Sequence, residues 1–375
     1  MVLDLRTSAA QLLTIGFHGR SVDSELERLL ERGVGGVIFF SRNVGSASEV
    51  ADLTATIKRR AGRPLILSVD QEGGTVARLR EGFTPIPTMR TVGKADDAEL
   101  SFSLGKVIGR ELRAVGFDLD YAPVLDVDTN PDNPVIGARS FGSKPELVAW
   151  HGLALIAGLA NAKVAACGKH FPGHGDTHQD SHKALPELDH RLERLEAVEL
   201  VPFAAAVKAA VPALMTAHVV FKPLDPEWPA TMSAPILRGV LRDKLGYSGL
   251  IVTDDLEMKA IAEHYSIEDV VVRGLNAGVD MFTCCHTPEK MQAAIDAIAH
   301  AVARGHVSTY RFEQALERVH DFMARWVEPP LETFDARVLG SSEHRALVER
   351  ISEVAEQTAP AARHDPMDVL RRFES

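Results

Sequence analysis

Eight short apolar or β-branched segments alternate with longer amphipathic ones along most of this 375-residue chain, and few architectures accept that rhythm. The strand candidates are Leu12 to Phe17, Gly36 to Phe40, Leu65 to Val69, Leu119 to Leu125, Val164 to Lys169, Ala213 to Val219, Gly249 to Thr253 and Val279 to Thr283. Between them, apolar residues recur at helical spacing over Glu49 to Arg60, Glu99 to Ala114, Glu146 to Ala160, Leu192 to Ala210, Ala234 to Leu245 and Pro288 to Ala303. Serine or threonine and then proline precede two of these stretches, at Ser143-Lys144-Pro145 and Thr287-Pro288. Eight βα repeats predict an α/β protein of the (β/α)₈ TIM-type barrel class, which typically needs about 250 residues before insertions. A doubly wound sheet also uses such repeats, but neither Gly-x-Gly-x-x-Gly after the first strand nor a phosphate loop is present. After a further amphipathic run from Tyr310 to Trp326, Pro329-Pro330 breaks the pattern. The expected organisation is therefore a catalytic barrel over residues 1–326 and a C-terminal extension over 327–375, partly helical around Glu343 to Glu356 or loop-rich.

Composition narrows the function classes. At 45% hydrophobic and 25% charged the chain reads as globular, and a net charge of -11 without a basic cluster argues against nucleic-acid binding. No segment approaches a membrane span, and the N-terminal residues do not read as a secretory signal, so a cytoplasmic protein is expected; the sequence leaves the oligomeric state open, with a monomer as the default. The three cysteines, Cys167, Cys284 and Cys285, lack the number and spacing of a disulfide framework or structural zinc site.

In a barrel the C-terminal strand ends share one mouth, so polar residues far apart in sequence converge there. They are Asp70-Gln71-Glu72-Gly73-Gly74 after the third strand, Asp126 and Asp128 and then Arg139 after the fourth, and Lys169 and His170 on the fifth. His218 follows the sixth strand and Asp254-Asp255 the seventh. A fixed carboxylate, a separate proton-transfer group and several hydrogen-bonding groups suit a polyhydroxylated substrate and glycosidase chemistry. Asp254, directly after a stiff apolar strand, is the nucleophile candidate. Plainer readings exist: Asp254 as a helix cap, Asp70 with Arg139 as a structural ion pair, Lys169 and His170 bonded to loop carbonyls, and Asp126, Asp128 and His218 as supports.

The densest polar run is Lys169 to His182, with histidines at 170, 174, 178 and 182. Pro172, Gly173 and Gly175 make it a loop rather than a helix. Asp180 lies two residues from His182, close enough to fix its tautomer and favour imidazolium, which gives a proton donor near neutral pH. The same spacing suits a loop-bracing bond. A zinc-dependent barrel hydrolase is the rival reading, weakened by the missing His-Glu-x-x-His helix and the missing His-x-His pair. A non-catalytic sugar-binding protein is a further alternative.

Lys169-His170-Phe171-Pro172-Gly173-His174-Gly175, followed after four residues by Asp180-Ser181-His182, resembles the signature loop of bacterial β-N-acetylglucosaminidases of glycoside hydrolase family 3. The resemblance covers roughly residues 1–326. It includes Gly35 to Asn43, Asp70 to Gly74, Val135 to Gly142 and Thr253 to Met258 in the same order. It implies Asp254 as nucleophile, His182 as general acid/base, Asp180 as its dyad partner, and Asp70, Arg139, Lys169 and His170 as sugar ligands. It implies no metal and no organic cofactor. The implied substrate is a small saccharide or muropeptide, cleaved during peptidoglycan recycling, with chitooligosaccharides or β-glucosides as alternatives. Two positions depart from the family pattern: Thr75 stands where arginine is expected and His286 where asparagine is frequent. His174 and His178 are left without a firm role.

Overall fold

The computed structural model describes residues 4–178, 185–358 and 366–373. Eight parallel strands close into a barrel: β1 (Leu13–Ile15), β2 (Gly36–Phe39), β3 (Ile66–Val69), β4 (Leu119–Asp120), β5 (Ala165–Phe171), β6 (Ala213–Thr216), β7 (Leu250–Asp255) and β8 (Met281–Cys284). Each pairs with its sequence neighbours, and β8 returns to β1 through Phe282 opposite Leu13. The fold is the expected (β/α)₈ TIM-type barrel. Strands covered on both faces need continuous rather than alternating apolar sequence, and every residue of β2, β3, β6 and β8 is buried.

Local chemistry sets the boundaries. Helix Ala47–Ala61 opens with a capping box, Ser46 accepting from Glu49 N–H and Glu49 from Ser46 N–H, and closes on Gly62 at φ 62°. Helix Pro145–Asn161 starts with proline at its first position, as Pro288–Ala303 does, yet neither Ser143 nor Thr287 supplies a capping bond. The single helix expected over Leu192 to Ala210 is two, Leu192–Ala197 and Leu200–Lys208. Pro202 accounts for the break, because without an N–H it fits only the first turn of a new helix. The expected strand Leu119 to Leu125 shortens to two residues for the same reason, since Pro123 cannot donate to the ladder. Pairing resumes beyond it through Leu125 N–H to the Lys169 carbonyl at 2.7 Å.

The closed end of the barrel is pinned by carboxylates that stand just before strands. Asp280, fully buried, receives Arg242 at 2.5 Å, Arg311 at 2.8 Å and Arg318 at 3.1 Å. Asp118 receives Lys58 and Arg113, each at 2.8 Å. Helix Thr309–Trp326 supplies two of those arginines, so the last barrel helix is tied to the strand floor. Beyond it, helix Ser342–Gln357 packs on Met89–Ala95, and buried Glu111 accepts from Gly340 N–H and pairs with His344, each at 2.8 Å. Among the described residues no helix is long and apolar enough to cross a membrane.

Candidate active site

The strand ends surround a cavity of about 330 Å³. Asp70, Arg139, Lys169, His170 and Asp254 line it together, drawn from the ends of β3, β5 and β7 and, for Arg139, from the turn Gly137–Arg139 in the loop after β4. Asp180 and His182 lie outside the described residues.

One wall is an ion-pair cluster. Lys169 Nζ lies 2.9 Å from Asp70 Oδ1 and 2.6 Å from Glu72 Oε1, and Arg139 donates through Nε and Nη2 to the two oxygens of Glu72 at 2.8 and 2.7 Å. Arg78 reaches the other oxygen of Asp70 at 3.1 Å. Burial would raise the Glu72 pKa, but the Lys169 and Arg139 charges prevail and hold it well below the usual carboxylate range. Burial alone would likewise depress Lys169, yet Asp70 and Glu72 raise it above the ordinary lysine value. Asp70 and Arg139 are therefore not each other's partner, and Lys169 is bonded to carboxylates rather than to loop carbonyls. Behind this wall, burial with Asp70 and Glu72 nearby pushes Asp120 up to about 8, although its Oδ1 accepts the Gln71 N–H at 2.9 Å.

The floor is organised by Asp126. Its carboxylate, fully buried, lies 2.7 Å from His170 Nδ1 and accepts the His174 backbone N–H at 2.7 Å. That bond orients the imidazole so that Nε2 faces Asp254 Oδ2 at 4.0 Å. His218, held below its ordinary pKa chiefly by burial, bonds Thr231 through Nδ1 at 2.8 Å and the Asp255 carbonyl through Nε2 at 3.1 Å.

Asp254 differs from the other carboxylates. It belongs to the last turn of β7 rather than standing beyond it, and its side chain is 26% exposed to the cavity. Among the described residues its partners are its neighbour's N–H at 2.8 Å and the distant imidazole of His170. It does not cap the following helix, Lys259–Ala262, whose cap position is Met258. Burial acts to raise its pKa, but His170, His218 and Lys169 outweigh that and keep it below the ordinary aspartate value. The carboxylate is thus held in its ionised form, opens on the cavity and has no close ion pair among the described residues.

The histidines of the long loop separate into different environments. His174 is buried, bonds Thr177 Oγ1 at 2.8 Å, and is depressed to about 4, mainly by burial. His178 Nδ1 meets Asn130 Nδ2 at 3.1 Å. Among the described residues no three His, Cys, Asp or Glu side chains are grouped as metal ligands. Gly175 explains the loop's close fit, because a Cβ there would lie 1.8 Å from the Val127 carbonyl oxygen. Gly175→Ala should therefore cost about 1–3 kcal/mol, the usual range for overpacking, measurable by urea unfolding.

Sequence reasoning missed Glu72 as the anion that joins Lys169 to Arg139. Its signal was present, since Asp70 and Glu72 are two residues apart on extended backbone and so share a face. Arg78 was also missed, and it places a guanidinium against Asp70 from three residues beyond Thr75, where the expected arginine is lacking. His286 lies with Nε2 3.2 Å from Asp255 and Nδ1 3.3 Å from Arg42, so this departure replaces an amide with a titratable ring at the rim.

Comparison with known proteins agrees with this geometry. Residues 4–322 match the glycosyl hydrolase family 3 N terminal domain. A beta-hexosaminidase of Neisseria meningitidis serogroup C is 41% identical over 277 residues, covering 72% of this chain and 76% of that protein. The solved family 3 beta-N-acetylglucosaminidase of Paenibacillus sp. str. FPU-7 superposes with a TM-score of 0.90 at 42% identity, covering 94% of this chain and 69% of that one. NagZ from Neisseria gonorrhoeae, solved with N-trifluoroacetyl-D-glucosamine, gives a TM-score of 0.75 at 32% identity over 92% of this chain and 98% of its own. With its eight-stranded barrel and its carboxylate-lined mouth, the chain belongs to glycosyl hydrolase family 3 and is a glycoside hydrolase.

Proposed function

We propose that the protein is a retaining exo-β-N-acetylglucosaminidase. The observation that carries this reading is Asp254, an ionised carboxylate opening into a cavity whose other acidic groups are tied to cations or imidazole. Asp254 attacks the anomeric carbon as His182 protonates the departing glycosidic oxygen, which leaves a glycosyl ester on Asp254. His182 then takes a proton from water, water displaces the carboxylate, and sugar leaves with its β configuration. Asp180 fixes the tautomer of His182.

Asp70, Arg139, Lys169 and His170 hold the terminal sugar. The charges of Lys169 and Arg139 are balanced by Asp70 and Glu72, so the wall offers hydrogen bonds to hydroxyls without a net field strong enough to demand an ionic substrate. The names of the similar proteins, beta-hexosaminidase and beta-N-acetylglucosaminidase, support the N-acetylglucosaminide over the glucoside. The finer assignment, cytoplasmic cleavage of muropeptides in peptidoglycan recycling, rests on the resemblance of the Lys169 to His182 loop. No cofactor enters this scheme. Residues 327–375 serve in it as a structural extension of the barrel.

Rates on matched aryl β-N-acetylglucosaminide and aryl β-glucoside test the reading. The expected result is strong preference for the N-acetylglucosaminide, and equal or reversed preference would reject it. Chitobiose and an N-acetylglucosaminyl anhydromuramyl saccharide, compared by kcat/KM, then separate the two natural substrate classes.

A further inference from the structure

The segment that carries Asp180 and His182 leaves and rejoins the barrel at two different loops. Its incoming end is held by residues after β4: Asn133 Nδ2 donates to the carbonyls of His174 at 2.8 Å and Gly175 at 3.0 Å, and Asn130 Nδ2 donates to that of Thr177 at 3.1 Å. Its outgoing end is held by residues after β6. Glu187–Leu188 pairs in parallel with Val220–Phe221, through Val220 N–H to the Pro186 carbonyl at 2.9 Å and Lys222 N–H to that of Leu188 at 3.0 Å. Among the described residues, the two anchorages are joined by the pair His190 Nε2 to Asp176 Oδ2 at 2.7 Å. Their side chains are 20% and 24% exposed, so the bond is partly withdrawn from solvent.

We propose that the Asp176–His190 pair is a positioning element for proton transfer, closing the base of the segment that presents Asp180 and His182. The inference rests on those two residues being the proton-transfer pair. The physical argument is one of geometry. Each end of the segment follows its own barrel loop, so movement of either loop changes the separation of the ends and displaces what they carry. A bonded pair across the base makes the two ends move together. Small displacements matter because proton transfer needs hydrogen-bond reach to the leaving oxygen, and a misplacement of about 1 Å can cost on the order of 10²-fold in rate.

The pair touches neither the sugar ligands nor Asp254, so its loss should weaken the proton steps and spare nucleophilic attack. His190→Ala and Asp176→Asn, made in the full chain, would be compared with wild type on two β-N-acetylglucosaminides. One has a phenyl leaving group, which needs protonation, and the other a dinitrophenyl group, which does not. The expected loss in kcat/KM is about 10²-fold for the phenyl substrate and only a few-fold for the dinitrophenyl one. On the dinitrophenyl substrate kcat should also fall, because water must still be deprotonated, and added azide should restore it. Azide needs no base: its nitrogen bonds to the anomeric carbon as the bond to Asp254 breaks, releasing glycosyl azide and the free carboxylate. The exchanged pair, Asp176→His with His190→Asp, should recover much of the phenyl rate.

Equal losses on both substrates, no effect of azide, or unchanged kinetics in both single variants would overturn the inference. An exchanged pair no better than His190→Ala would do so too. A wild-type protein inactive on both substrates would instead remove the N-acetylglucosaminidase reading on which the inference rests.

Discussion

Replacing Asp254 by asparagine should leave the barrel folded and lower kcat/KM for a β-N-acetylglucosaminide by about 10⁴-fold, the scale of loss when a catalytic group acting in the transition state is removed. Asparagine keeps the size of the side chain but cannot form the glycosyl ester. Stability should hardly change, because the carboxylate makes no close ion pair with a described residue and its one near bond is to its neighbour's N–H. Kinetics with thermal unfolding checks both halves. The same carboxylate sets an expectation for pH. Burial opposes its ionisation, but His170, His218 and Lys169 hold its pKa below the ordinary value, about 3.9 for a free aspartate. The acid limb of kcat/KM arising from Asp254 should therefore lie below pH 4, and Asp254→Asn should not be rescued by raising the pH.

Glu72→Gln should produce the largest stability loss among the site residues. Glu72 is 2% exposed and faces Lys169 and Arg139 at once, so the neutral amide leaves two buried cations with one anion removed. Breaking a buried ion pair by removing one partner costs about 3–5 kcal/mol. Asp70→Asn should cost less, because Asp70 is 14% exposed and Arg78, its second partner, retains access to solvent. Urea unfolding of both variants at neutral pH gives the comparison, and a loss below that of Asp70→Asn would contradict the reading of Glu72 as the central anion. The sign of the pH effect follows from the depressed pKa. The folded-state value lies below the unfolded one, about 4.3, so the contribution is complete above that pH and is lost as pH falls toward the folded value. Wild type should thus lose this stability in acid, and Glu72→Gln should show a flatter acid dependence.

The eight strands were legible because parallel barrel strands, buried on both faces, demand unbroken apolar runs. What periodicity alone could not resolve lay at prolines. Pro123 shortens β4 and Pro202 divides a helix, each by the missing N–H. The convergence of Asp70, Arg139, Lys169, His170 and Asp254 was legible from topology, since all stand at C-terminal strand ends or, for Arg139, on the loop that follows one. Their pairings were not, because sequence does not say which cation faces which carboxylate across a barrel. Arg139 therefore meets Glu72 rather than Asp70, and Asp126 emerges as the group that orients His170. The environments of the loop histidines could not be read from their even spacing. His170, His174 and His178 face Asp126, Thr177 and Asn130, so each of the three has a partner of its own.

The most direct test of the account is to trap the reaction midway. Wild-type protein incubated with a fluorinated N-acetylglucosaminyl fluoride, a substrate that forms the glycosyl ester quickly and loses it slowly, would be digested and its peptides weighed. The account predicts one added sugar, on the peptide containing Asp254, in step with loss of activity. Inactivation with the sugar on any other residue, or turnover of the reagent with no covalent sugar at any stage, would contradict it.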